Sequence, residues 1–141
     1  MISSRWLSWL SELQPEMFCE ISSELAELKG IENGGWATIT TARAAIEARV
    51  LVSRRIPPLR AGKRIVHQIG VPYHWGSTGR VKGDAANELS NFLADPNVSI
   101  MNSKAHTANI YPGRVARQLR PKHLYINGPQ NPDSALRDLP K

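Results

Sequence analysis

Residues 36–53, WATITTARAAIEARVLVS, alternate side-chain character on both sides of a short break at Thr41-Ala42-Arg43-Ala44. Before the break, Trp36, Thr38 and Thr40 alternate with Ala37, Ile39 and Thr41. After it, Ile46, Ala48, Val50 and Val52 share one face, and Glu47, Arg49, Leu51 and Ser53 the other. A period of two in a β-branched set predicts two strands paired as a hairpin.

Upstream, Asn33-Gly34-Gly35 is a turn signal, and Ser22-Ser23-Glu24 starts a short helix with Leu25 and Leu28 on its apolar side and Gly30 as a left-handed cap. Met17 to Ile21 reads as a strand, and Trp6, Leu7, Trp9, Leu10 and Leu13 as an amphipathic helix ending before Gln14-Pro15. Downstream, Pro57-Pro58 interrupts the ladder and Ala61-Gly62-Lys63 turns the chain into a third strand, Arg64 to Gly70. Residues 71–83, VPYHWGSTGRVKG, have no period and read as a loop. Asp84 is positioned to cap a helix through Asn87, Leu89, Phe92 and Leu93 that stops at Asp95-Pro96. Val98 to Ile100 and His106 to Ile110 are further strand candidates, and an exposed tail is expected from about Arg120. Short, turn-rich segments of this kind predict one mainly β domain with short helices, a barrel rather than an open sheet.

The 141 residues carry a formal charge of +6, with six acids against two bases in residues 1–40 and sixteen bases against six acids after them. Such a surface suits nucleic acid, an anionic membrane surface or a phosphate-rich cofactor, and charge does not choose among them. No apolar run reaches membrane-spanning length, and the first ten residues make no convincing signal peptide. Cys19, the single cysteine, excludes an internal disulfide and reads as a small buried apolar residue.

The loop at 71–83 concentrates the chemistry. Tyr73, His74 and Trp75 offer ring faces and polar edges, Gly76, Gly79 and Gly83 permit close backbone approach, and Asn87 beyond them carries both a donor and an acceptor. These suit a flat heterocyclic ligand, and equally an aromatic plug over one end of a barrel. Lys104, in Asn102-Ser103-Lys104, could meet a phosphate or carbonyl oxygen or be a surface lysine. His67, His106 and His123 lack the carboxylate or cysteine spacing of a metal site. No nucleophile elbow, Walker loop, dinucleotide fingerprint or carboxylate pair is present, so the chain does not read as a self-sufficient enzyme. Residues 43–64 hold seven bases and one acid but no aromatic platform, which favours solvated arginines over a nucleic-acid track.

Five blocks, LQPEMFCEIS, ATITTARAAIEARVLVSRRIPPL, VHQIGVPYHWG, GDAANEL and DPNVSIMNSKAHTANIYPGR, resemble in order and spacing the large subunit of membrane-associated formate dehydrogenases over roughly residues 5–116. The resemblance implies a six-stranded double-psi β-barrel over residues 1–116, followed by a tail at 117–141. It also implies contacts from Tyr73, His74, Trp75, Asn87 and Lys104 to molybdopterin guanine dinucleotide, held in the complete enzyme as a molybdenum or tungsten bis form. The implied partners are the remainder of the large subunit and an iron-sulfur electron-transfer subunit, in a formate-oxidising enzyme often placed on the periplasmic side of a membrane. In that family the catalytic ligand and its His and Arg neighbours lie upstream of the matched region, and Cys19 does not correspond to the metal ligand. A cofactor-contacting Gly-rich segment usually precedes the equivalent of residues 4–18, so Met1 is expected to open in mid-protein. The family commonly has Gly where Ala44 stands, so a left-handed backbone there would cost about 1 kcal/mol unless the turn differs. At His106 relatives tend to carry an aromatic. The competing reading is a small basic module for nucleic acid or an anionic surface.

Overall fold

The expected hairpin forms as β2, Trp36–Thr40, and β3, Ala45–Val52, antiparallel with Ile39 opposite Ile46 and Ala37 opposite Ala48. The computed structural model describes residues 7–73, 75–76, 80–81, 83–90, 94–101 and 106–115. Trp6, His74, Phe92, Leu93, Lys104 and the 117–141 tail lie outside them. The turn at 41–44 solves the Ala44 problem by another geometry. Thr41 N–H donates to the Ala44 carbonyl at 2.9 Å, and Ser99 is the one described non-glycine residue with positive φ. The turn differs from a glycine turn, and the expected strain is absent.

Around the hairpin, β1 (Phe18–Ile21) pairs in parallel with β3, β6 (Ile69–Gly70) pairs antiparallel with β1, and β7 (Asn109–Pro112) pairs antiparallel with β2. The described sheet thus has five strands, ordered β6-β1-β3-β2-β7. Ile69 of one edge and Ala108 beside the other line the same cavities, which requires the sheet to curl towards closure. The chain is mainly β, with a curled sheet and few short helices.

On the concave face Cys19, Ile21, Ala37, Ile39, Ile46, Ala48, Val50 and Ile110 form the core with Leu25 and Ala26 of α2, Ser23–Lys29. The Ser22 hydroxyl accepts from Leu25 N–H at 3.2 Å and Gly30 closes the helix with φ 64°, as their positions predict. Burial pushes the Cys19 thiol up to about 12, so it stays protonated and inert.

The alternation in β3 is incomplete, because Ala45 and Glu47 are buried along with Ile46 and Ala48. The other face is covered too. Arg114 Nε meets Glu47 Oε2 at 2.9 Å, and Thr38 Oγ1 donates to Gly113 O at 3.0 Å. The guanidinium carbons of Arg114 and Arg49 sit 4.2 and 4.5 Å from the Trp36 ring centroid. A buried carboxylate needs such a partner, since leaving it unpaired would cost several kcal/mol.

Four expected elements differ. The strand foreseen over Arg64 to Gly70 divides at His67-Gln68: β5, Arg64–Val66, pairs with β4, Leu59–Ala61, in a separate hairpin, while β6 joins the main sheet. Gln68 Nε2 donates to Pro57 O at 3.1 Å at this bend. The helix expected after Asp84 is a single 3-10 turn, Ala86–Leu89, and Asp84 does not cap it. Its carboxylate instead accepts from Glu47 N–H at 2.8 Å. Val98 to Ile100 is not a strand, because the Asp95 carboxylate accepts from Asn97 and Val98 N–H and winds the chain into a turn. The last strand begins at Asn109, not His106.

At the other end of β1, the Arg55 guanidinium bonds Glu20 at 2.6 and 2.8 Å, and the Ser53 hydroxyl donates to the same carboxylate. Arg55 first, and Ser53 second, hold the Glu20 carboxyl below the usual carboxylate range. A depressed folded-state value makes the contribution full above the unfolded carboxylate value and lost as pH falls through the folded one. Urea midpoints measured from pH 6 downward should therefore fall less steeply for Glu20→Gln than for the unaltered chain. Parallel curves would contradict this.

Candidate functional site

Where β1 runs out, the edge of β3 would expose N–H groups, and the segment 83–90 fills that place. Gly83 lies against Met17, Asp84 takes the Glu47 N–H, Thr41 Oγ1 donates to Leu89 O at 3.0 Å, and Arg43 donates to Ser90 O. Both ends of the 3-10 turn are thereby fastened to the β2–β3 hairpin.

Against this fastened turn lies a cavity of about 120 Å³. Ile39, Ile69, Val71 and Leu89 give it apolar walls, and Thr41, Tyr73, Ser90 and His106 give it polar groups. Three segments converge on it: the aromatic loop through Tyr73, the GDAANEL block through Ala86 and Leu89, and the chain before β7 through His106 and Ala108. These are the segments that the resemblance marks.

Among the expected contact residues, Tyr73 lines the cavity and is 38% exposed. Asn87 sits on the turn between two lining residues, its side chain exposed. Trp75 is placed differently, 5% exposed and edge-on to Phe18 with ring centroids 5.7 Å apart at 90°. His74 and Lys104 lie outside the described residues. Thr41, Ser90 and His106 were not foreseen as lining residues. No local signal marks Thr41, whose partner Leu89 is 48 residues away.

The basic segment 43–64 is in part consumed by the fold. Arg43 bonds Ser90, Arg49 bonds Glu16 at 3.0 Å and stacks on Trp36, and Arg55 bonds Glu20. Among the described residues no cluster of His, Cys, Asp and Glu could hold a metal, and no helix is long and apolar enough to cross a membrane.

Residues 1–108 match the Molydopterin dinucleotide binding domain, and the chain belongs to that family. More particularly, it is 39% identical over 110 residues to the formate dehydrogenase subunit alpha of Megalodesulfovibrio gigas, covering 77% of this chain and 11% of that protein. It is 42% identical over 98 residues to the nitrate-inducible formate dehydrogenase major subunit of Escherichia coli strain K12, covering 69% and 10%. The chain thus spans about a tenth of the length of these relatives. Acetylene hydratase from Pelobacter acetylenicus shares the fold, with a TM-score of 0.60 and 15% identity over 77% of this chain and 16% of that one.

Proposed function

We propose that this chain is the molybdopterin guanine dinucleotide-binding domain of a formate dehydrogenase large subunit, folded on a six-stranded double-psi barrel plan. The convergence of the three family segments on one cavity carries the reading. The cavity takes part of the ligand: at about 120 Å³ it falls below the roughly 300–1,000 Å³ of sites that enclose a ligand. Its hydroxyls, imidazole and apolar walls fit one ring and its polar edge. The remainder of the subunit supplies the other walls.

The chemistry that the cofactor supplies when bound is removal of electrons from formate on its way to carbon dioxide. This chain's residues bind and orient. Tyr73 shapes the mouth, Asn87 meets a ring edge, His74 and Lys104 offer donors to oxygen-rich groups, and Trp75 holds the loop through its contact with Phe18. The purified chain is therefore expected to oxidise no formate.

α1, Ser8–Leu13, supports dependence on a larger assembly. It buries Ser11 while Trp9 and Leu13 are 82% and 79% exposed, the reverse of a surface helix. An apolar face turned outward is suited to packing against the rest of the large subunit, with an iron-sulfur subunit further along the electron path.

Tyr73 and Asn87 side chains are exposed, so Tyr73→Ala and Asn87→Ala should change stability by less than about 1 kcal/mol. When the chain is assembled with a Megalodesulfovibrio gigas alpha subunit lacking the matching segment, the double variant should retain several-fold less guanine nucleotide, released by acid and quantified by chromatography. Equal retention would remove both residues from the site.

A further inference from the structure

The β4–β5 hairpin is separate from the main sheet. Its paired residues, Leu59 with Val66, Arg60 with Ile65 and Ala61 with Arg64, are all exposed. A two-stranded hairpin of this length is marginal in water, and this one also exposes Leu59, Ile65 and Val66 at 52%, 64% and 45%. Beside it runs a groove of about 310 Å³, bounded by Ile65, Val66 and His67 on one wall and by Leu25, Leu28 and Lys29 of α2 on the other. Leu28, on the far lip, is 67% exposed.

The charge on this face has one sign along the hairpin wall. Residues 54–64 hold five bases and no acid. Arg55 is neutralised by Glu20, while Arg54, Arg60, Lys63 and Arg64 have no carboxylate partner among the described residues. On the opposite wall Glu24 stands at the start of α2, one residue before Leu25. A partner with apolar anchors would fill the groove, and its carboxylates would meet Arg54, Arg60, Lys63 and Arg64.

We propose that this face docks an acidic protein segment carrying apolar anchors, lying along β4–β5. The site is distinct from the cofactor cavity, although Ile69 and Ala108 border both. Apolar contact supplies the holding energy, and the cations supply orientation and salt dependence.

The test uses the full chain and a fluorescein-labelled peptide of sequence DELFEDL, read by anisotropy. Comparison probes are an all-glutamate peptide of equal length, a single-stranded oligonucleotide and phosphatidylserine vesicles. DELFEDL should bind at least about tenfold more tightly than all-glutamate, weaken about tenfold when Arg60→Glu and Arg64→Glu are combined, and weaken similarly with Ile65→Ser. Because these residues are exposed, circular dichroism of each variant should match the parent chain. Arg54→Gln with Lys63→Gln provides a milder second variant if the charge reversal disturbs folding. Equal binding of all-glutamate, tighter binding of the oligonucleotide or vesicles, or no response to the variants would overturn the proposal. No cofactor is present in the assay, so either outcome leaves the cofactor-binding reading untouched.

Discussion

Replacing Gly83 by alanine is expected to destabilise the domain by about 3 kcal/mol, which for a chain this small can abolish the folded state. A methyl group built there would stand 2.4 Å from the Met17 Cβ and 3.2 Å from its backbone nitrogen. Neither atom is the tip of a flexible side chain. Met17 is 1% exposed and its carbonyl accepts from Arg49 N–H, so its backbone is tied into the β1–β3 ladder. Gly83 also holds φ 144°, a conformation that side-chain-bearing residues rarely adopt. Strain and overlap therefore act together. Gly34 is the control: its φ is 77° but nothing lies within 4 Å of the added carbon, so Gly34→Ala should cost about 1 kcal/mol. Urea midpoints of the two variants check this, and equal losses would mean that the close approach of Gly83 to Met17 is not a constraint.

Trp75→Ala should cost a further large sum, about 3–5 kcal/mol, the range for removing a buried aromatic ring. The ring sits 5% exposed against Phe18. Because Trp75 follows closely on Tyr73, the same change should loosen the aromatic loop and with it one wall of the cavity. Trp75→Phe keeps an aromatic body against Phe18 and should cost less than half as much. Two sequence readings competed for this loop, an aromatic plug and a ligand wall, and this pair of variants separates them for Trp75. If Trp75→Ala melts near the parent temperature yet loses cofactor in the assembled enzyme, the indole serves the ligand rather than the core.

Local chemistry made much of this fold legible. The hairpin at 36–53 follows from alternation, and α2 follows from Ser22 and Gly30, whose cap geometries are as their residue types demand. Long-range pairing did not show in the sequence. Nothing in Phe18–Ile21 states that it will lie parallel to β3 rather than beside β2, since a strand's pattern carries its faces and not its neighbours. The division of Arg64–Gly70 was hidden because Ile65, Val66 and Ile69 are all β-branched and the bend at His67-Gln68 carries neither glycine nor proline. Asp84 misled for a different reason. Aspartate before a helical pattern is a sound cap signal, but an unpaired N–H at the β3 edge competes for the same carboxylate and wins. The candidate cavity was legible as segments and less so as residues. Tyr73 reaches the cavity and Asn87 borders it, whereas Thr41, Ser90 and His106 join by contacts across the fold.

The most direct test of the central claim is the guanine nucleotide released by acid from a Megalodesulfovibrio gigas alpha subunit lacking its matching segment, purified with and without this chain. The nucleotide should be retained when this chain is co-expressed and fall several-fold when it is absent. Equal nucleotide in the two preparations, with the chain shown to be folded and bound, would contradict it.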